Sequence, residues 1–231
     1  MASNRTFRQL RFVRPPASCE LILVRHGESE PARENASFPL VDGQGDPALS
    51  PEGEEQASRV CERLGGEAID AVYVTTLRRT VQTAAALTAQ LGLEPRVERD
   101  LREVHLGDWE GGVYRQKVLE GDPIALAMAR EQRFDVIPNA EPRSAFSKRV
   151  RAAVERIAVA HPDERVAVFT HGGVIGEILS LATGARPFAF LGADNASISH
   201  VVVNGDEWVL RRFNDTSHLE HELTARPEPL S

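Results

Sequence analysis

Cysteine is scarce: the 231 residues hold only Cys19 and Cys61. Two thiols make no disulfide framework, and they fit a reducing compartment as buried, unreacted side chains. No run approaches the ~18 consecutive apolar residues of a membrane span. The first residues carry Arg5, Arg8, Arg11 and Arg14 without an apolar segment between them, so no secretory signal is expected. The expected location is therefore the cytoplasm, with no membrane partner. Excess positive charge is also missing. A net charge of −7 argues against a general nucleic-acid binder and leaves room only for a local basic pocket. No cluster of His, Cys, Asp or Glu has metal-ligand spacing. His218 and His221, with Glu220 and Glu222 beside them, read as a solvated tail. Internal repeats and low-complexity tracts are absent too.

What remains is ordinary for a globular protein: 42% hydrophobic and 26% charged residues. The length suits one domain with a sizeable core. We expect an arm over residues 1–19, one α/β domain over 20–217 with a cap-like insertion at 111–140, and a loose tail over 218–231. Leu21-Ile22-Leu23-Val24 reads as a strand buried on both faces. Residues 30–49 are rich in Pro, Gly, Asn and Asp, which predicts an irregular loop at the rim of the site. Ser50-Pro51-Glu52 starts a helix with Ala57, Val60, Cys61 and Leu64 on one face, ended by Gly65-Gly66. Ala71–Val74 is the next strand, followed by a helix with Val81, Ala84, Ala85, Thr88 and Leu91 inward. Residues 94–97 suit a short edge strand. Asp122-Pro123 opens a short helix carrying Ile124, Ala127 and Met128. A long helix presents Phe146, Val150, Ala153, Val154 and Ile157. Val166–Phe169 is another buried strand, and its following helix buries Val174, Ile175, Ile178, Leu179 and Ala182. Two late strands, about 197–203 and 208–213, join through Asn204-Gly205-Asp206, a hairpin signal.

Strands alternating with helices predict a three-layer α/β/α fold with a mainly parallel central sheet. In such sheets ligands bind beyond the carboxyl ends of the strands. Three of these strands run into Arg25-His26, into Arg79 and into His171. The topology alone therefore gathers two guanidiniums and two imidazoles at one sheet edge. It does not say which of them is the nucleophile.

Five segments together carry a resemblance. Arg25-His26-Gly27-Glu28-Ser29 follows the first strand. Gly45-Asp46-Pro47-Ala48-Leu49-Ser50-Pro51-Glu52-Gly53 leads into the first helix. Thr75-Thr76-Leu77-Arg78-Arg79-Thr80 holds the second arginine. Leu101-Arg102-Glu103-Val104-His105-Leu106-Gly107-Asp108-Trp109-Glu110-Gly111 holds a carboxyl group, and Thr170-His171-Gly172-Gly173 the second histidine. In this order they resemble the motifs of the histidine phosphatase superfamily, the phosphoglycerate mutase-like enzymes, over roughly residues 21–200.

The resemblance implies a phosphoglycerate mutase-like fold with a small helical insertion over the site. It also implies a hydrolase acting on a small phosphorylated molecule. His26 would be the nucleophile, and Glu103 the general acid and base. Arg25, Arg79 and His171 would hold the phosphoryl group, His171 as a charge-assisted donor if protonated. Two arginine forks suit a phosphoryl group as lysines would not. Ser29, the Gly172 N–H and Asn195 are further candidate contacts. Glu28, Glu98 and Glu110 are rival carboxylates, with Glu28 and Glu110 read as structural, and Arg78 is expected to face solvent. Candidate wall residues are Phe38, Leu40, Val113, Tyr114 and Phe134. The arginines would do the charge neutralisation, so neither metal nor other cofactor is expected.

A bisphosphoglycerate-primed phosphoglycerate mutase is the alternative. Pro31-Ala32-Arg33-Glu34-Asn35 lacks the aromatic-Asn pattern of the mutases, and the Leu106–Gly111 run is of phosphatase type. A non-catalytic phospholigand-binding protein ranks third. An edge strand leaves a homodimer open.

Overall fold

The computed structural model describes residues 6–219. Arg5, His221, Glu220 and Glu222 lie outside that range, as does the expected tail beyond 219. Six strands form the main sheet: β1 (Cys19–Arg25), β4 (Ala71–Val74), β5 (Arg96–Val97), β6 (Arg165–Thr170), β7 (Ile198–Asn204) and β8 (Glu207–Asp215). Their order is β5-β4-β6-β1-β7-β8. The first four run parallel, while β7 and β8 join antiparallel. The fold is the expected α/β class with a mainly parallel sheet.

Period-two alternation splits the strands between two helical layers. Ile22, Val24, Val72, Val74, Ala167 and Phe169 pack against α1 (Pro51–Leu64) and α2 (Arg78–Leu91). Leu21, Leu23, Val166 and Val168 pack against α5 (Arg143–Ala160) and α6 (Gly172–Thr183). Burial on both faces is why these strands read as continuous apolar runs. Helix α5 buries Phe146, Val150, Ala153, Val154 and Ile157, the face its spacing predicts. The Ser50 hydroxyl caps α1 by accepting from Gly53 N–H, with Pro51 in the first turn.

Some local expectations fail. In α2 the buried face is Thr80, Thr83, Ala84, Leu87 and Thr88, whereas Val81 and Ala85 are exposed. The helix starts at Arg78, and its threonines bury their hydroxyls by bonding backbone carbonyls; Thr83 donates to Arg79 O at 2.6 Å. Ala84 and Thr88 are buried and Leu91 packs against the core as expected, but hydrophobic spacing misses Thr80, Thr83 and Leu87. The 30–49 segment is not wholly irregular, since β2 (Leu40–Val41) and β3 (Gln44–Gly45) form a small hairpin. Its turn is Asp42-Gly43, both at positive φ (50° and 82°), a pairing that favours tight hairpins. His218 is not solvated: its Nε2 lies 3.1 Å from Ala196 O, and burial lowers its pKa.

The 111–140 stretch folds as α3 (Val113–Leu119) and α4 (Pro123–Glu131). Asp122 caps α4 from its side chain, as expected, and Ala125 and Met128 are the buried positions. They join Trp109 and Ile137 in a small separate core, with Val113 and Tyr114 packed against it. No helix among the described residues is long and apolar enough to cross a membrane.

Candidate active site

Strand register builds the centre of the site. β1 and β6 are parallel neighbours with Arg25 opposite Thr170. The next residue on each strand is a histidine, and the His26 amide donates to Thr170 O at 3.0 Å. The two imidazoles meet edge-on, with centroids 5.2 Å apart. Both are buried. The helix α6 begins directly after His171, so its first amides point toward the same place.

His26 is fixed by its own segment. Its Nδ1 lies 2.7 Å from Gly27 O and donates to it, since a carbonyl can only accept. The Nε2 lone pair is therefore the available one. The His26 carbonyl accepts from Asn195 Nδ2 at 3.0 Å and from Ala196 N–H at 3.2 Å. Burial, then Arg79 and Arg25, push the His26 pKa well below the ordinary histidine value. Gly27 serves a purpose other than approach to a ligand. A Cβ there would meet Gly53 O at 2.5 Å. The loop is pressed against the first turn of α1, and only a glycine fits.

His171 is neutral as well, pushed well below the ordinary value by burial first and by Arg79 next. Its tautomer follows from its partners. Arg79 Nη2 donates to Nδ1 at 3.2 Å, so Nε2 carries the proton and donates to Thr75 Oγ1 at 3.1 Å. Thr75 in turn passes its hydroxyl to Thr80 Oγ1, which donates to Leu77 O at 2.8 Å. In this arrangement His171 offers no charged donor, and the condition attached to its expected role is not met.

Arg79 sits in the first turn of α2 and is buried. Its Nη1 donates to Gly45 O at 3.0 Å, which ties it to β3. Burial lowers its pKa to about 10 against the opposing pull of Glu103 and Asp46, so it stays charged at neutral pH. Arg25 donates to Ala193 O, and Gly172 lies over its guanidinium: a Cβ there would stand 3.4 Å from Arg25 Nε. Neighbouring Arg78 is half-exposed but paired, its Nε 3.1 Å from Asp46 Oδ2.

Glu103 accepts two backbone N–H groups, Val104 at 2.9 Å and Gly173 at 3.0 Å. Its carboxyl thus touches the first turn of α6, next to His171. The rivals are committed elsewhere. Glu110 accepts from Gly45 N–H and Leu106 N–H, both at 2.8 Å. Glu98 binds Arg156 and the Asp100 amide. The backbone of Glu28 is held by Gln56 and Ser50, and its carboxylate acts on Arg115.

Three residues at the site escaped the sequence reading. Arg115 on α3 donates to Ser29 Oγ at 2.6 Å and to Glu30 O at 2.8 Å, and stacks over Phe38 at 5.3 Å. It is a third guanidinium acting on His26, Arg25 and Arg79. Arg149 on α5 divides its fork between the loop that carries Glu103 and the Glu141 carboxylate. It donates to Asp100 O, Arg102 O and Glu103 O at 2.6–2.8 Å and grips Glu141 with Nε and Nη2. Gln44 Nε2 adds a 2.7 Å bond to Glu103 O. A lone polar residue on a helix or in a hairpin carries no local signal of such long-range contacts.

Of the remaining candidates, Ser29 is buried and engaged by Arg115, and Asn195 meets His26 through the backbone. Tyr114 is half-buried and lies close enough to Glu103 to feel its charge; loss of hydration mainly lifts its pKa to about 12. Leu40 is exposed. No group of His, Cys, Asp and Glu suited to a metal ion occurs among the described residues.

Comparison with known proteins adds the following. Residues 21–216 match the sequence profile described as "Histidine phosphatase superfamily (branch 1)". The chain is 39% identical over 208 residues to phosphoglycerate mutase-like protein 4 of Arabidopsis thaliana, covering 87% of each. It is 33% identical over 204 residues to a metal-independent phosphoserine phosphatase of the same plant, covering 87% of this chain and 83% of that one. Among solved structures, a mycobacterial glucosyl-3-phosphoglycerate phosphatase superposes with a TM-score of 0.71 at 27% identity, over 86% of this chain and 100% of that one.

Proposed function

The chain belongs to the histidine phosphatase superfamily, and from that premise we propose that it hydrolyses a small phosphomonoester through a phosphohistidine at His26. The observation that carries this reading is the state of His26. It is buried, held neutral, and anchored through Nδ1, which leaves the Nε2 lone pair available on a ring that lies against His171 and within the field of Arg79 and Arg25.

The steps balance without any added group. Nε2 attacks phosphorus as the bond to the alcohol oxygen breaks. Glu103, in its acid form, gives its proton to that oxygen, and the alcohol leaves. Glu103 then takes a proton from water as the water oxygen bonds phosphorus. The P–N bond breaks, its electron pair returns to Nε2, and inorganic phosphate departs. Two easier transfers replace one hard one. Arg25 and Arg79 face the charge that spreads over the equatorial oxygens. The Gly172 N–H at the start of α6 and the Ser29 hydroxyl are further donors in reach. As the dianion takes Arg79's attention, His171 Nδ1 becomes free to take a proton. Asn195 and Arg149 act as positioning residues, one on the nucleophile and one on the acid.

Quenching a reaction with radiolabelled phosphomonoester tests the reading. Acid-labile phosphate on His26, absent from a folded His26→Ala protein, is expected. A folded protein that forms no adduct would instead be a phospholigand-binding protein. The 39% identity to a protein named phosphoglycerate mutase-like favours a second reading, the primed mutase. Strong isomerisation of 3-phosphoglycerate dependent on bisphosphoglycerate would put that reading first.

A further inference from the structure

A cleft adjoins the site on the α5–α6 side of the sheet. Val104 and Gly173, the two residues whose amides hold the Glu103 carboxyl, both line it. Its walls include Phe134, Phe146, Phe188 and Leu191. The rings of Phe134 and Phe188 lie 4.9 Å apart.

Glu177 lines the same cleft. It follows Gly173 by one helical turn, so the two share a face of α6, about 6 Å apart along the axis. Only 6% of Glu177 is exposed. Yet no hydrogen bond or ion pair reaches its carboxyl from any described residue. The other charges at the cleft are accounted for. Glu141 is held by Arg149, and Arg133 pairs with Glu131 and Asp135. Arg143 is exposed at the mouth. The Glu177 oxygens are not fully enclosed, so the carboxyl meets the water of the cleft and presents its charge there. Aromatic faces around it favour a cationic partner over a neutral one.

We propose that this cleft is the leaving-group subsite, and that Glu177 at its floor selects phosphomonoesters whose alcohol carries an ammonium group on a short apolar stem. With phosphate at His26 and the bridging oxygen at Glu103, the alcohol passes Gly173 and reaches Glu177 one turn further along α6. The substrates are thus phosphorylated amino alcohols. The assignment rests on the phosphatase reading above.

The test is a series of ω-aminoalkyl phosphates of two to six carbons, each against the n-alkyl and ω-hydroxyalkyl phosphate of equal length. At one length the amino ester is expected to exceed both others at least tenfold in kcat/KM. Glu177→Gln should bring that ratio to about one. A ratio near one at every length in the wild type, equal preference for the hydroxyl ester, or a ratio kept in Glu177→Gln would overturn the proposal. If Glu177→Gln lacks a cooperative melt, Phe188→Ala replaces it, and the ratio should fall there too. If none of these esters nor p-nitrophenyl phosphate is hydrolysed, the phosphatase reading fails by itself. Calorimetry with the free ω-amino alcohols then decides: binding lost in Glu177→Gln upholds the subsite, and no binding overturns it.

Discussion

Arg79 serves two neighbours at once, His171 through one nitrogen and Gly45 through another. Its loss removes a preorganised cation and also frees the second imidazole. Removing one such donor typically costs about 2.7–4 kcal/mol of transition-state stabilisation. Arg79→Ala should therefore lower kcat by about 10²–10³-fold in steady-state assays. Arg79→Lys should recover little of it, because an ammonium is a point charge and cannot hold both partners and a phosphoryl group. His26 makes a prediction of the opposite kind, about what does not change. Burial and three guanidiniums disfavour its imidazolium. The acid limb of the kcat/KM profile should thus lie below the ordinary histidine value near 6.5, the range in which an unperturbed imidazole nucleophile would already be lost. A limb at or above that value would contradict a neutral, shielded nucleophile.

At the scale of elements, the first turn of α1 and the loop after β1 are in backbone contact. A Cβ on Gly53 would stand 1.9 Å from the carbonyl oxygen of Glu28. Neither side can yield without moving main chain. Gly53→Ala should destabilise the protein by about 1–3 kcal/mol, as overpacking does, and displace the segment carrying Ser29. Urea melts would register the first effect and a raised KM the second. Such contacts mark the limit of what sequence reading reaches. The faces of α1, α5 and α6 were legible because apolar side chains recur at helical spacing. The ends of β1, β4 and β6 were legible because apolar runs stop at polar residues, at Arg25, Thr75 and Thr170. The α2 face was legible only in part, at Ala84, Thr88 and Leu91, because Thr80 and Thr83 are buried through local hydrogen bonds. The β2–β3 hairpin announces itself with Asp42-Gly43, but so many turn formers surround it that the signal is lost. His26, Arg79, Glu103 and His171 emerge as one cluster from topology and motif order. Arg115, Arg149 and Gln44 do not, because their partners are known only once the chain has folded.

For the molecule as a whole, the buried imidazoles link stability to pH. His26 and His171 both have folded-state pKa values well below 6.5, and His200 and His218 are lowered too. Above about pH 7 neither the folded nor the unfolded chain protonates them. As pH falls through about 6.5, the unfolded chain takes up protons that the folded chain refuses, and stability drops. Urea midpoints should therefore be lower at pH 5.5 than at pH 7.5. A midpoint that stays level or rises over that interval would mean these rings accept protons in place.

The strand order has a bearing on how the polypeptide acquires its activity. Both neighbours of β1, namely β6 and β7, come from the last third of the sequence, and β6 wedges between β1 and β4. A nascent chain that has emerged only as far as α4 holds His26, Arg25, Arg79 and Arg115, yet has no frame on which to assemble them. Closing so long a loop is slow and comes late. Turnover should accordingly return in step with the final cooperative phase of refolding, making activity a reporter of the assembled sheet.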